Sequence, residues 1–235
     1  MNKNCIAIIP ARGGSKRIPR KNINLFHGEP IISYSIRAAL ASGCFSEVMV
    51  STDDDEIADI SKKYGASIPF MRSKNSANDI ASLEDVALEV LTEHGKKGRL
   101  FESFCCLLAT APFIRAEDIK KAIDILHNER DVTSVFTIAK FSYPIQRALK
   151  INDGWVEMHL PENMDKRSQE LKEMHHDAGQ FYCLHAERFQ LEKQFFSQRS
   201  KAIILPAERV QDIDTLEDWK IAELKYAILN NLLIK

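Results

Sequence analysis

The sequence predicts an α/β fold in which a doubly wound, mostly parallel sheet is covered by helices. Short, continuously apolar runs such as CIAII at 5–9 alternate with longer segments whose apolar residues recur at helical spacing. The connections between these segments are short, as in sheets wound by successive strand–helix units. Because 235 residues suffice for one large domain of this kind, we predict a single domain over 1–235 with one insertion.

The first half of the chain shows the alternation most clearly. CIAII is bounded by Pro10 and suits a central parallel strand that is buried on both faces. The first helical pattern ends at Gly43, and the next has acids in its first turn and Gly65 after its last. The predicted elements are a strand at 5–9, a helix at 30–43, a strand at 47–52, helices at 53–65 and 79–94, and a strand at 104–109.

The second half continues the alternation but is interrupted between about 140 and 180. The interruption is polar, carries Pro144 and Pro161, and lacks the apolar periodicity of a core element. We interpret residues 140–180 as an excursion from the sheet that serves as a dimerisation arm or a lid. The other predicted elements are a helix at 116–127, strands at 132–138, 180–184 and 202–205, and a helix at 214–229.

Composition narrows the class of protein. The formal net charge is −1, from 32 Lys and Arg against 33 Asp and Glu, so no overall basic field indicates a nucleic-acid partner. The five cysteines show no CxxC spacing and several lie in apolar runs, which predicts reduced thiols and a cytoplasmic location. Apolar runs are too short to span a bilayer, so we expect no membrane partner.

The segment PARGGSKRIPRKN, residues 10–22, is the strongest candidate for a binding site, and we call it the phosphate loop. It follows the first predicted strand, at the sheet edge where α/β proteins bind ligands. Gly13 and Gly14 allow backbone amides to approach an anion closely. The loop lacks both the GxGxxG and the P-loop patterns. A triphosphate fits its cations, although a solvated basic turn is the alternative; the cations are Arg12, Lys16, Arg17, Arg20 and Lys21.

IIPARGGSKRIPRKN resembles the signature of the CMP-sialic acid synthetase (acylneuraminate cytidylyltransferase) family. The resemblance extends over essentially the whole chain. Within the family, LLATAP at 107–112 and the pair Ala178-Gly179 are most similar to the branch that acts on pseudaminic acid, because the sialic acid branch typically has LQPTSP and Asn-Gly there. Further segments match in order: VSTDDDEIADISKKYGA at 50–66, FMR around Arg72, TAPF at 110–113, KRSQE at 166–170, DAGQFY at 177–182 and VQDIDTLED at 210–218.

This resemblance implies a Rossmann-like nucleotidyltransferase fold and an enzyme that joins CTP to a nine-carbon keto sugar acid. The anomeric hydroxyl of the sugar would attack the α-phosphorus of CTP and release pyrophosphate. Pseudaminic acid is the expected substrate, with N-acetylneuraminate, legionaminate or 3-deoxy-manno-octulosonate as alternatives. A nucleotide-binding protein without turnover is an alternative of another class. The resemblance also implies a homodimer through the excursion, in which Lys166 and Arg167 act across the interface.

The family resemblance assigns site residues as follows. Arg12, Lys21, Asp212 and Asp214 are implied to be catalytic. The residues implied to contact the nucleotide are Ala11, Arg12, Gly13, Gly14, Ser15, Lys16, Lys21, Asn22, Arg72 and Ser82. Those implied to contact the sugar are Thr110, Arg167, Gln169, Asp177 and Gln180, with Arg167 pairing with the sugar carboxylate.

Asp212 and Asp214 form the candidate metal site. A triphosphate carries Mg²⁺, which prefers carboxylate and phosphate oxygens, so we predict Mg²⁺ as cofactor. Alternation along an extended segment directs both carboxylates to one side. The alternative is that Asp214 caps the last helix, with Glu217 completing a capping box.

Other polar clusters have ordinary explanations beside functional ones. Asp53, Asp54 and Asp55 suit the first turn of a helix, although Asp53 lies near the expected cleft. His175 and His176 are expected to be solvated, with a substrate contact at His176 or Asp177 as the alternative. The general base remains open between a metal-bound water, an aspartate of the 212/214 pair, and direct activation of the hydroxyl by Mg²⁺.

Overall fold

A six-stranded mixed sheet is the framework of the computed structural model, which describes residues 4–73, 76–77 and 80–232. The strands are β1 (Cys5–Pro10), β2 (Leu25–Phe26), β3 (Glu29–Pro30), β4 (Glu47–Ser51), β5 (Ser103–Leu107), β6 (Ser134–Lys140), β7 (Leu149–Asn152), β8 (Trp155–Met158), β9 (His175–His185) and β10 (Ser200–Leu205). The α-helices are α1 (Ile32–Ser42), α2 (Asp55–Lys63), α3 (Leu83–Lys96), α4 (Ala116–Asn128), α5 (Ala186–Glu192) and α6 (Leu216–Leu229).

The central sheet has the order β10-β6-β9-β5-β1-β4. β1 is parallel to β4 and β5, and β6 is parallel to β10. β9 is antiparallel to both of its neighbours, β5 and β6. The predicted mostly parallel, doubly wound sheet is therefore confirmed, with β9 as the exception.

The reversal of β9 follows from how the chain reaches it. β6 ends at Lys140, and Lys140 lies directly opposite His175, the first residue of β9. The two strands thus form a long hairpin, and residues 141–174 are its connection. Antiparallel neighbours can be joined at one end, whereas parallel strands need a crossover back along the sheet. The predicted strand at 180–184 begins earlier, at His175, because the polar residues before it pair with the end of β6.

The continuous apolar runs are explained by two cores on opposite faces of the sheet. On β1, Cys5, Ala7 and Ile9 contribute to one core, together with residues of α1, α2 and α4. Ile6 and Ile8 contribute to the other, with residues of α3 and α5. A strand buried on both faces has no polar side to show, so alternation is absent from its sequence.

A third cluster fastens the phosphate loop to the last helix. Ile18 of the loop, Ile213 just before α6 and Trp219 within α6 are buried together. The ring of Phe26 packs edge-on against Trp219, with 5.8 Å between ring centroids. Burial of these side chains brings the loop at 10–22 and the segment at 212–214 to the same place.

The excursion contains elements that the sequence pattern did not predict. β7 and β8 form an antiparallel hairpin whose apolar side chains are largely exposed, with Ile151 at 74% and Trp155 at 77%. The short helix α5 was also not predicted; it follows β9 directly. Throughout the described residues, none of the helices combines the length and apolarity that crossing a membrane requires.

Candidate active site

A cavity of about 420 Å³ lies at the carboxyl ends of β1 and β5, at the sheet edge that the sequence predicts. Its lining combines cationic and apolar side chains. The cationic ones are Arg12, Lys16, Arg17, Lys21 and Arg72, and the apolar ones include Ile18, Ala81, Leu83, Val86, Leu108 and Ala109. Such a lining suits a ligand with an anionic part and a flat, less polar part.

The structure brings most of the predicted nucleotide residues to this cavity. Those in the lining are Arg12, Ser15, Lys16, Lys21, Asn22, Arg72 and Ser82, and the predicted sugar residue Thr110 joins them. Among the described residues, the lining does not include Ala11, Gly13 or Gly14. Ala11 is buried, and its N–H donates to the Ser51 carbonyl at 2.9 Å.

The Gly13-Gly14 turn is partly occupied by contacts within the protein. The Gly13 N–H donates to Oδ1 of Asp53 at 3.0 Å, and the Ser15 N–H donates to the Gly13 carbonyl at 3.1 Å. A Cβ on Gly13 would lie 2.7 Å from Oδ2 of Asp54, so this position needs glycine for close approach. Two of the backbone amides that were predicted to bind phosphate therefore donate hydrogen bonds within the protein and stabilise the loop itself.

Lys21 connects the phosphate loop to the candidate metal pair. Its Nζ donates to the Ile213 carbonyl at 2.6 Å and lies 3.4 Å from Oδ1 of Asp214. Arg17 contacts the same oxygen, with 2.7 Å from Nη2 to Oδ1. Two cations that line the cavity thus contact Asp214, which brings the two separately predicted regions together, although among the described residues neither Asp212 nor Asp214 is part of the cavity lining.

The helix cap at the start of α6 separates the two explanations of Asp214. The N-cap is Thr215, and the capping box is completed by Asp218. The alternative in which Asp214 caps the helix with Glu217 is therefore wrong by one position. Asp214 is left to interact with the cations at the cavity.

Asp212 and Asp214 lie close enough for their charges to interact. The pKa of Asp212 is raised above its ordinary value because nearby protein partly desolvates the carboxyl and because Asp214 adds a second negative charge. In the described part of the chain, no group of three or more His, Cys, Asp or Glu side chains gathers around a possible metal position. Two carboxylates fit Mg²⁺ when phosphate oxygens and waters supply its remaining ligands.

Arg72 is buried below the cavity. Its Nε donates to the Ser51 hydroxyl at 3.1 Å, and its Nη2 donates to the Ser51 carbonyl. Burial lowers the pKa of the guanidinium, and the negative charges of Asp53 and Glu89 oppose that effect. Asp53 therefore lies near both Gly13 and Arg72, a connection that the sequence alone did not reveal.

Asn22 and Ser82 each have a structural bond beside their predicted nucleotide contact. Nδ2 of the buried Asn22 donates to the Arg12 carbonyl at 2.9 Å, which ties one end of the loop to the other. The Ser82 hydroxyl caps α3 by accepting from the Asp85 N–H at 3.1 Å. Leu83 and Val86, one helical turn apart after this cap, line the cavity but were missed by the sequence reasoning.

The predicted sugar residues are less well gathered. Arg167 and Gln169 are exposed on the excursion, and Asp177 accepts bonds from the Gly179 N–H and the Tyr182 hydroxyl. Gln180 is buried, with its Nε2 donating to the Arg209 carbonyl at 2.6 Å. Among the described residues these four are not part of the cavity lining, in contrast to Thr110.

The remaining polar clusters are explained by local structure. The Asp54 carboxylate caps α2 by accepting from the Ile57 N–H at 3.0 Å, as predicted for this acidic segment. His176 contacts the Asp177 carbonyl through Nδ1 at 2.7 Å, and His175 lies 3.4 Å from Glu173. Among the described residues, neither histidine is part of the cavity lining.

Comparisons with known proteins show the family of the chain. A family model described as cytidylyltransferase matches residues 6–232. The chain is 41% identical over 225 residues to pseudaminic acid cytidylyltransferase of Campylobacter jejuni, covering 95% of this chain and 96% of the relative. It is 33% identical over 221 residues to CMP-N,N'-diacetyllegionaminic acid synthase of Legionella pneumophila, covering 93% and 94%.

The fold also matches a solved structure. CMP:2-keto-3-deoxy-manno-octonic acid synthetase complexed with CTP superposes with a TM-score of 0.70 at 18% identity, covering 97% of this chain and 99% of that one. At this identity the likeness shows the fold, which is a nucleotidyltransferase fold. With a family model over nearly its whole length and a relative above 40% identity, the chain belongs to the cytidylyltransferase family.

Proposed function

We propose that the protein transfers the cytidylyl group of CTP to pseudaminic acid, giving CMP-pseudaminic acid and pyrophosphate. The observation that carries the proposal is the contact of two cavity-lining cations of the phosphate loop, Lys21 and Arg17, with the carboxylate of Asp214. The choice of sugar is supported by the 41% identity to the Campylobacter jejuni relative, which exceeds the 33% identity to the legionaminic acid synthase.

In the proposed reaction the anomeric hydroxyl oxygen attacks the α-phosphorus, and the bond from that phosphorus to the pyrophosphate oxygen breaks. The hydroxyl gives up its proton to a carboxylate of the 212/214 pair or to water as the new P–O bond forms. Negative charge develops on the phosphoryl oxygens, and Arg12 and Lys21 neutralise it. The Ile213 carbonyl holds the Lys21 ammonium 2.6 Å away, so that Lys21 enters the reaction already oriented. Lys16 is assigned to the leaving pyrophosphate.

Asp212 and Asp214 are the residues that would hold Mg²⁺. The fit rests on the closeness of the two carboxylates, which is seen in the effect of the Asp214 charge on the pKa of Asp212, and on hard oxygen donors, which suit this ion. When bound, Mg²⁺ would offset phosphate charge and help to orient the triphosphate. Arg17 and Lys21 form ion pairs with Asp214, so we expect Mg²⁺ and these side chains to compete for its carboxylate oxygens.

We propose that the sugar half of the site is completed by a second copy of the chain. Arg167 and Gln169 lie on the excursion, whose hairpin exposes the apolar side chains of Ile151 and Trp155. A homodimer through this hairpin would bury them, as interfaces bury apolar and aromatic residues.

The free cysteines, four of which are buried, further support a reducing, cytoplasmic location.

The test of the sugar assignment is pyrophosphate release from CTP and Mg²⁺ with four separate sugar acids. We expect the highest kcat/KM with pseudaminic acid, and lower values with legionaminic acid, N-acetylneuraminate and 3-deoxy-manno-octulosonate. A clear preference for one of the other three would refute the substrate but not the reaction.

The same assay tests the alternative of a nucleotide-binding protein without turnover. CTP binding by calorimetry, combined with no pyrophosphate from any of the four sugars, would support that alternative. The convergence of Lys21 and Asp214 speaks for catalysis, since a simple sensor has no need of a carboxylate pair beside the phosphate cations.

A further inference from the structure

Arg20 differs from the other cations of the phosphate loop in what it contacts. Arg12, Lys16, Arg17 and Lys21 line the cavity, whereas the Arg20 guanidinium contacts the start of α2. Its Nη2 donates to Oδ1 of Asp54 at 2.9 Å, its Nη1 contacts the other oxygen of Asp54, and Glu56 pairs with Nη2. Within the described structure the Arg20 side chain therefore contacts other parts of the protein and does not line the cavity.

The Arg20 backbone is in an unusual conformation. With φ of 56° and ψ of 28°, it lies in the left-handed region, which residues other than glycine adopt at an energetic cost. The 3₁₀ turn Lys21–Ile23 begins directly after it. Backbone strain of this kind persists where surrounding contacts impose it, and the Arg20 side chain is held by its contacts with the start of α2.

The acidic start of α2 also holds the other end of the loop. Asp53 accepts the Gly13 N–H at 3.0 Å, and the Asp54 carboxylate lies so close to Gly13 that a side chain there would clash. The loop is therefore gripped at residues 13 and 20 by two consecutive aspartates. The Arg20 contact also lowers the pKa of Asp54, so the pair stays ionised at neutral pH.

The two residues that follow Arg20, Lys21 and Asn22, line the cavity. Lys21 reaches the Ile213 carbonyl, and Asn22 reaches the Arg12 carbonyl. A change in the direction of the chain at Arg20 would move both. Misplacement of such groups by about 1 Å can cost up to ~100-fold in rate.

We propose that the Arg20–Asp54 ion pair is a positioning clamp, which fixes the turn at Arg20 so that Lys21 and Asn22 point into the cavity. The inference rests on the proposed function for its catalytic consequence. Arg20 itself is a positioning residue, since its side chain contacts Asp54 and Glu56 and, among the described residues, it is not part of the cavity lining.

The first test compares two replacements of Arg20. Arg20→Gly removes the clamp and also relieves the strain of the left-handed backbone. Arg20→Ala removes the clamp but leaves the backbone strain in place. We expect both variants to raise KM for CTP by about tenfold, with a smaller fall in kcat. If Arg20→Gly behaves like the unmodified protein, backbone conformation alone matters and the clamp is refuted. Arg188→Ala, which removes an exposed arginine paired with Glu192 on α5, is the matched control and should change nothing.

The second test is a double-mutant cycle with Asp54→Asn. Asparagine keeps an oxygen that can cap α2, so the helix is preserved while the charge is lost. A clamp predicts that Arg20→Ala and Asp54→Asn each raise KM and that the double variant raises it no further. Additive effects would overturn the proposal. Thermal unfolding of each variant separates misfolding from a local effect.

A third measurement needs neither substrate nor turnover. Amide hydrogen exchange in the unliganded protein should become faster over residues 10–22 in Arg20→Gly, while α3 and α4 keep their protection. Unchanged exchange in the loop would refute the clamp even if the enzyme assay fails. Absence of pyrophosphate release from the unmodified protein, with faster loop exchange in the variant, would instead refute only the proposed function.

Discussion

The proposed nucleotide half and the proposed sugar half of the site are built in different ways. The phosphate loop and the segment at 212–214 are joined by buried side chains, by a lysine that bridges them, and by an acidic helix start that grips the loop. The predicted sugar residues Arg167 and Gln169 lie instead on an exposed excursion. The difference supports our proposal that one chain preorganises the triphosphate site, whereas sugar recognition needs contacts from a second copy of the chain.

Among the variants considered, Lys21→Ala should cause the largest loss of activity, through the proposed nucleotide half. Lys21→Ala removes a phosphate cation and leaves Asp214 with one partner fewer, so we expect kcat/KM to fall by about 10²–10³-fold. Steady-state pyrophosphate release measures this. Lys96→Ala, which removes a surface lysine paired with Glu93, should be near normal. Turnover of Lys21→Ala within a few-fold of the unmodified enzyme would contradict the assigned role.

Asp214→Asn should produce a smaller loss that magnesium partly restores. We expect roughly 10–100-fold lower activity at low Mg²⁺, since one carboxylate ligand is gone. Because the Asp214 charge helps to raise the pKa of Asp212, the variant should also lower that pKa. Protons compete with Mg²⁺ at Asp212, so the apparent affinity for Mg²⁺ should fall as the pH is lowered. In Asp214→Asn this fall should begin at a lower pH than in the unmodified protein. An unchanged magnesium titration would argue against the metal pair.

Disruption of the exposed hairpin should affect the sugar half and spare the nucleotide half. For Trp155→Glu we expect a monomer by light scattering, about tenfold weaker use of the sugar acid, and unchanged CTP binding by calorimetry. Leu191→Glu on α5 replaces an equally exposed apolar residue and serves as control. A dimer that persists in Trp155→Glu would place the interface elsewhere.

Arg17→Ala should have the smallest effect. Arg17 contacts the same oxygen as Lys21 but its side chain is 67% exposed, and such pairs contribute about 0–1 kcal/mol. We expect less than about fivefold change in kcat/KM. An effect as large as that of Lys21→Ala would mean that Arg17 moves onto the phosphates when CTP binds.

The sequence predicted those parts of the molecule that depend on local patterns. Continuous apolar runs identified the central strands, and Gly43 and Gly65 identified helix ends, because such signals need only neighbouring residues. The phosphate loop was found for the same reason. The family resemblance added Asp212 and Asp214, which no local pattern distinguished from a helix cap.

The remaining features depend on contacts between distant segments. The cap of α6 is one residue later than the alternative assumed, because Thr215 and Asp218 are the pair in contact. Arg20 was grouped with the phosphate cations because its charge is visible in the sequence but its partner, Asp54, lies 34 residues away. The early start of β9 was missed because polar residues form strands there only through pairing with β6.

The long hairpin of β6 and β9 has a consequence for how this architecture can change. Since Lys140 already lies opposite His175, the sheet itself fixes both ends of the segment between them. The entropy of closing such a loop grows slowly with its length. We therefore expect the segment at 141–174 to tolerate shortening, extension or replacement, in evolution or in engineering. Specificity for a different acceptor could then arise in this segment while the proposed nucleotide site stays unchanged.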